Sequence, residues 1–338
     1  MKEKQWYRLG DQALFERKIS DLPLKIQGTT IEPLINKLYK ELKDRGLLFR
    51  PPCFLADEWF CPVGVPAIGI PFFLSHPRLR RLEQKTILEV EGNTRSDFMK
   101  LIRHEAGHAY SYAYSLYKKP TWRKLFGSAS KEYPETYRPR PYSRSYVIHL
   151  ENWYAQSHPD EDFAETFAVW LTPGHRWKSK YRSWKAFEKL NYVDGLMRSI
   201  RGKAPKNQKR FNPAAYSGLN IKLKTYYLRK KKLYEESYPD FYDKDLNILF
   251  TADPEQRGDM KAFRYLRKVR PNILKSVAEW TKEKKYTIDQ LMENLISRTK
   301  ELGLYIRKDR TDLDVQTSSY VTSLVTNYLF TGKFKRSK

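Results

Sequence analysis

The spacing of apolar residues predicts a helix followed by a small sheet in the first part of the chain. Between residues 31 and 45, isoleucine and leucine recur every three or four positions, which is the period of a helix, and Gly46 ends it. Residues 49–55 and 67–74 are short apolar runs interrupted by prolines, which is typical of strands at a sheet edge. Residues 86–91 alternate between polar and apolar side chains and are expected to form a third strand.

Two later segments carry the pattern and the capping residues of longer helices. Residues 96–117 follow Thr94, which forms a capping pair with Asp97. A second helix is predicted over residues 159–171, because it opens with proline and ends before a Pro-Gly pair. The segment between them, 118–145, is rich in proline, arginine and tyrosine and is predicted to be a long functional loop.

From residue 221 onward the helical period dominates, so the chain divides into two regions with different sequence patterns. Its 338 residues are enough for two domains of ordinary size. We therefore predict an α+β protein with a first domain over residues 1–200. A basic linker at 201–220 and a basic, mostly helical region at 221–338 are expected to follow.

Charge and cysteine content narrow the class of protein. Lysine and arginine total 64 against 39 aspartates and glutamates, a formal net charge of +25 that favours anionic partners or a solvated basic surface. Cys53 and Cys61 are the two cysteines, too few for a disulfide framework or a cysteine-based zinc ribbon. The first residues lack an apolar signal core, and the longest apolar run, 63–74, is too short to cross a bilayer. A cytoplasmic protein without a transmembrane segment is expected.

The most informative motif lies in the first of the two longer helices and reads His104-Glu105-Ala106-Gly107-His108. Residues four apart lie one turn apart on the same helix face, so both imidazoles can reach one metal ion. Glu105 lies about 100° around the helix from His104 and can flank that ion without binding it. Two ligands and a general base on one turn are the arrangement of zinc hydrolases. Two surface histidines on an ordinary helix are the alternative.

A third ligand must come from elsewhere in the chain. In one class of such sites a glycine and a third histidine follow three and six positions after the second histidine, but Ser111 and Tyr114 stand there. Glu161 and Glu165, one turn apart on the predicted second helix, are the leading candidates. Glu161 can bind zinc while Glu165 fixes the tautomer of a ligand histidine.

Two alternatives to this third ligand stay open. One is an exposed acidic helix start, which the helix dipole stabilises. The other is a histidine ligand from the set His149, His158 and His175. Because His158 immediately precedes the helix, a role in capping or in supporting a ligand fits it better.

Several segments together resemble the bacterial zinc-binding metallopeptidases of the gluzincin type. They also resemble, in motif order, the catalytic domain of anthrax lethal factor. The matching segments are 103–108, 125–127 and 154–168. The resemblance implies a zincin-like domain that holds one Zn²⁺ with His104, His108 and Glu161. It also implies Glu105 as base, Glu165 as support for a ligand, and Tyr154 as a stabiliser of the oxyanion.

The chain departs from that family in two respects. Bacterial relatives often carry an N-terminal cysteine-rich zinc ribbon, which two cysteines cannot build. Phe167 stands where the family helix often has tryptophan.

These observations predict a zinc peptidase that cleaves a peptide or protein substrate, with an acidic one favoured by the basic chain. Residues 68–74 are expected to form an edge that pairs with the extended substrate. Two other functions stay open. Residues 201–232 could bind the phosphates of a nucleic acid, which is the less favoured hypothesis. The zinc could also be a non-catalytic scaffold that joins two helices.

Overall fold

The computed structural model describes residues 3–134, 139–140, 142–207, 209, 211–212, 216–232 and 242–331. The chain is mixed α and β and mostly helical, and it forms two compact units. The first consists of Met1–Thr86, Val90–Glu135 and Pro139–Leu228, and the second mainly of Arg229–Lys338. The division into 1–200, 201–220 and 221–338 stays a prediction.

The first unit contains a short sheet among helices. Its strands are β1 (Cys53–Ala56) and β2 (Ile68–Pro71). Its helices are α1 (Asp11–Phe15), α2 (Glu32–Asp44), α3 (Pro77–Ile87), α4 (Arg95–Ala113), α5 (Pro120–Phe126), α6 (Pro159–Leu171), α7 (Trp177–Lys180) and α8 (Ala186–Ser199). Helix α9 (Leu223–Lys232) follows across the boundary between the units. The predicted loop 118–145 therefore begins with the short helix α5.

The segment 68–74 is not a free sheet edge, which corrects the predicted substrate-pairing role. Strand β2 pairs in parallel with β1 on one side. On its other side Gly69 forms an antiparallel bridge with Phe60, whose carbonyl accepts the Gly69 N–H at 2.8 Å. All four residues of β2 are buried. Since both neighbours of the strand are occupied, an added peptide cannot pair with it there.

The predicted strand at 86–91 is also wrong, because helix α3 extends into it and ends at Ile87. Leu79 and Leu82 are buried three positions apart, as on a helix face. Leu88 then takes the left-handed conformation with φ of 63°, which ends the helix. The alternation of polar and apolar residues at 86–91 arises from the end of a helix and the turn after it. Six residues are too few to distinguish the period of a helix from that of a strand.

Helices α4 and α6 pack against each other within the first unit. Helix α4 begins where predicted, because the Thr94 hydroxyl accepts the Asp97 N–H at 3.1 Å. Helix α6 has the predicted bounds, with Pro159 in its first turn and the His158 ring accepting the Asp160 N–H at 3.1 Å. Every residue of α6 from Asp160 to Leu171 is buried. Its polar residues therefore require partners inside the unit.

The second unit is mainly helical, as the apolar period of the sequence predicts. Helices α11 (Ala262–Thr281), α12 (Lys285–Glu301) and α13 (Leu313–Thr331) surround its apolar core together with α10 (Asp243–Leu249). Strands β3 (Arg257–Lys261) and β4 (Tyr305–Arg307) form an antiparallel pair that the sequence pattern did not reveal. Within the described ranges, no helix combines the length and the apolar character needed to cross a membrane.

Candidate metal centre

Helices α4 and α6 bring His104, His108 and Glu161 together inside the first unit. The Nε2 atoms of the two histidines lie 3.1 Å apart. Oε2 of Glu161 lies 2.9 Å from Nε2 of His104 and 3.2 Å from Nε2 of His108. All three residues are less than a tenth exposed. Among the described histidine, cysteine, aspartate and glutamate side chains, these three form a group that could hold a metal ion.

The three facing atoms form a small triangle of electron-pair acceptors. Nδ1 of His104 lies 2.7 Å from a carboxylate oxygen of Glu165, so in the neutral ring that nitrogen carries the proton. Nε2 of His104 then presents a lone pair to the Glu161 carboxylate. Acceptors in a buried site repel unless a cation lies between them. Around a tetrahedral zinc with bonds of about 2.0–2.1 Å, ligand atoms lie about 3.3 Å apart, close to the spacing here.

Glu165 is fully buried and contacts the His104 ring. Its Oε1 accepts from the His104 ring at 2.7 Å, and its Oε2 accepts the Leu150 N–H at 2.8 Å. Burial disfavours the charged form of His104, but hydrogen bonds to Glu161 and Glu165 outweigh it and raise the pKa of the imidazole well above its usual value. The site therefore stabilises positive charge at the point where the three acceptors meet.

Glu105 lies beside His104 and His108 and is almost fully buried. It is 6% exposed, and among the described residues its Oε2 has no hydrogen-bond partner. Burial raises the pKa of its carboxyl group, while the neighbouring His104 and His108 oppose the shift. A desolvated carboxylate next to cationic ligands is suited to accept a proton.

Tyr154 lies against the candidate metal cluster, which is formed by His104, His108 and Glu161. Its ring centroid is 5.7 Å from that of His104. It opens a 3-10 turn, Tyr154–Gln156, directly after two residues in the left-handed conformation. These are Asn152 and Trp153, with φ of 57° and 52°. Tryptophan rarely adopts this backbone conformation, and such strain is concentrated at functional sites. The turn brings Tyr154 next to a candidate ligand.

Tyr133 is a residue of the site that sequence reasoning missed. Its hydroxyl donates to Oε1 of Glu161 at 2.8 Å, so that Oε2 of the same carboxylate faces the histidines. The ring stacks on His158 at a centroid distance of 3.8 Å. Tyr133 lies in the predicted loop 118–145, but as one of 24 tyrosines it carried no distinguishing sequence signal.

The three competing histidines do not join the cluster. The His158 ring accepts the Asp160 N–H through Nδ1 and contacts the Lys131 carbonyl through Nε2, so it caps α6 as expected. Nε2 of His149 lies 3.0 Å from the Lys100 carbonyl oxygen. His175 stacks on Tyr181. The rings of His149 and His158 thus contact backbone groups, and the ring of His175 contacts Tyr181.

Both cysteines are free thiols outside the cluster. Burial raises the pKa of Cys53 to about 12. Burial, together with the charge of Glu105, raises the pKa of Cys61 well above its usual value. Neither thiol is poised to act as a nucleophile or as a thiolate ligand at neutral pH.

Comparison with protein families supports the resemblance that was predicted from the sequence motifs. Residues 88–180 match the model of a family described as "putative zinc-binding metallo-peptidase". The matched segment contains α4, α5 and α6, and with them every candidate residue described above. No curated protein and no solved structure gave a match. The predicted resemblance to this family is confirmed, while the gluzincin type and the likeness to lethal factor stay predictions.

The basic segment that could bind nucleic acid has part of its charge paired. Lys222 and Lys224 lie 2.7 Å and 3.6 Å from the carboxylate of Glu16. Binding of phosphates by residues 201–232 stays a prediction.

Proposed function

We propose that the chain is a zinc-dependent peptidase of the gluzincin type that hydrolyses peptide or amide bonds. In this proposal His104, His108 and Glu161 hold one Zn²⁺. The observation that supports it best is the buried triangle of two imidazole nitrogens and one carboxylate oxygen, 2.9 to 3.2 Å apart, whose ligand types and spacing fit a tetrahedral zinc ion. The match of this segment to a zinc-binding peptidase family supports the same reaction class.

The residues around the triangle supply the remaining parts of a hydrolytic site. Zinc at such a position contributes Lewis-acid chemistry, which polarises a carbonyl group and makes water acidic near neutral pH. Glu105 accepts the proton of the attacking water and passes it to the leaving amine. The Tyr154 hydroxyl donates to the developing oxyanion. Glu165 keeps the His104 ring in the tautomer that leaves Nε2 unprotonated.

A cavity beside the site is suited to a substrate side chain. Its volume is about 280 Å³, and Tyr112 and Asp160 line it. Tyr112 lies one helical turn after His108, and Asp160 directly precedes Glu161. We place a substrate side chain here instead of along β2, whose two edges are already paired.

Metal analysis combined with a peptide-library cleavage screen tests this function. The wild-type protein is expected to hold one zinc ion per chain and to cleave a subset of peptides. Glu161→Ala should lose most of the zinc, because a buried ligand is removed. Glu105→Gln should keep the zinc and lose cleavage by roughly two to four orders of magnitude, because it cannot accept a proton.

The same experiment separates a peptidase from a zinc scaffold. A Glu105→Gln protein with zinc and undiminished cleavage would disprove the mechanism. Full zinc retention by Glu161→Ala would disprove the ligand set. Among the described residues Oε2 of Glu105 has no hydrogen-bond partner, and this favours catalysis, because a structural site has no use for an unsatisfied carboxylate.

A further inference from the structure

A basic cleft lies in the first unit, next to the backbone that supports Glu165. Its volume is about 600 Å³. Five cationic side chains line it, from α2, α4 and α7, and these are Lys37, Arg95, Lys100, Arg103 and Lys180. Glu151 is the acidic residue in the lining. None of these residues belongs to the metal cluster.

Most of this positive charge is not neutralised by neighbours. Within the described ranges, no ion pair is formed by Arg95, Lys100 or Lys180. Lys37 lies 4.0 Å from Glu41, but that carboxylate is already held by a bidentate pair with Arg103. Like charges that converge on one concave surface repel each other, and a bound anion relieves that repulsion.

The start of α4 adds hydrogen-bonding capacity to the same cleft. The first turn of α4 contributes Arg95 and Ser96, where the helix dipole favours negative charge. Cationic side chains and a helix start together match the chemistry of an oxyanion.

We propose that this cleft binds a small multivalent oxyanion, namely a phosphate group. The bound anion neutralises the cations of α2, α4 and α7 and stabilises the wall formed by His149 and Leu150. The Leu150 N–H donates to Glu165, which in turn contacts the His104 ring. The cleft is therefore connected to His104 through Leu150 and Glu165. The site is distinct from the metal cluster, and the inference goes beyond the proposed peptidase function and does not depend on it.

Titration of the full chain with inorganic phosphate tests the proposal, with sodium chloride added to keep the ionic strength constant. Calorimetry should show one saturable site, and the melting temperature should rise with phosphate. Lys180→Gln should weaken binding about tenfold, because a hydrogen bond to a charged group is lost. Lys178→Gln is the matched control, since it removes the same charge from an exposed position of the same helix outside the cleft. Its affinity should stay within about twofold of the wild type.

Lys100→Gln provides a second variant in the cleft, and circular dichroism verifies the fold of all three proteins. A sugar phosphate as a second ligand shows whether the phosphate group belongs to a larger molecule, in which case it binds more tightly than inorganic phosphate. Non-saturable binding would overturn the proposal. Equal losses in Lys180→Gln and Lys178→Gln would do the same, because they indicate only the ion atmosphere of a chain with net charge +25.

Discussion

Gly107 of α4 lies directly against Ala164 of α6. A β-carbon on Gly107 would lie 2.7 Å from the Ala164 Cα and 3.1 Å from its carbonyl oxygen. These are backbone atoms, so no side-chain rotation can relieve the contact. The glycine therefore sets the distance between the two helices, and this distance brings His104 and His108 within reach of Glu161.

Gly107→Ala should push the helices apart at the metal cluster. Overpacking of this kind costs about 1–3 kcal/mol in the free energy of unfolding. The movement should also lengthen the separation between the histidines and Glu161, so that zinc affinity falls. Urea unfolding of the metal-free protein and competition with a chelator measure the two effects separately.

Gly195→Ala is the matched control, because Gly195 lies within helix α8 with nothing within 4 Å of its added β-carbon. Alanine is favoured over glycine in a helix by about 1 kcal/mol, so this variant should be slightly more stable and keep its zinc affinity. If Gly107→Ala behaves like this control, the close helix crossing does not set the site.

Tyr133→Phe should weaken zinc binding by about ten- to a hundredfold, the range for residues that orient a metal ligand. The physical reason is the loss of the 2.8 Å hydrogen bond that holds Oε1 of Glu161. Tyr142→Phe removes a hydroxyl from an 84% exposed side chain in the same loop and should leave zinc affinity unchanged. Equal zinc affinities in the two variants would show that Tyr133 does not position Glu161. Chelator competition measures both.

Local sequence signals were sufficient to predict helix α6 and the clustering of His104, His108 and Glu161. Helix α6 has its predicted bounds because proline and the capping residue act within one turn of its start. The clustering of Glu161 with His104 and His108 followed from helical spacing together with the demand for a third ligand.

Contacts between distant residues were beyond the reach of the sequence. The neighbour on the second side of β2 is Phe60, whose position no periodicity reveals. The Tyr133 hydroxyl meets a carboxylate 28 positions away. The amphipathic pattern of α3 was too short at its end to be distinguished from the alternation of a strand.

Glu41→Gln should destabilise the first unit by about 3 kcal/mol, because it leaves the Arg103 guanidinium buried without a charged partner. Glu41 and Arg103 form two hydrogen bonds of 2.8 Å, and both side chains are less than a tenth exposed. Asp44→Asn, on the same helix, removes an exposed pair with Lys40 and should leave the unfolding midpoint nearly unchanged. Equal midpoints for the two variants would contradict the importance of the buried pair.

The pair between Asp243 and Arg298 in the second unit should make stability depend on acid pH. Two hydrogen bonds of 2.7 Å from the guanidinium lower the pKa of Asp243 below its usual value of 3.8, against a small opposing effect of burial. A lowered carboxyl pKa means that the folded state binds the proton less tightly than the unfolded state. The stabilisation is therefore complete above pH 3.8 and is lost as the pH falls through the lowered pKa.

Asp243→Asn should accordingly destabilise the protein at neutral pH by about 1 kcal/mol or less, since the pair is partly exposed. The difference from the wild type should shrink as the solution is acidified below pH 3.8. Asp245→Asn, on the same helix α10, is the control and should show little difference at any pH. Denaturant unfolding at neutral and acid pH measures these differences. A gap between Asp243→Asn and wild type that persists unchanged in acid would show that the ion pair is not its source.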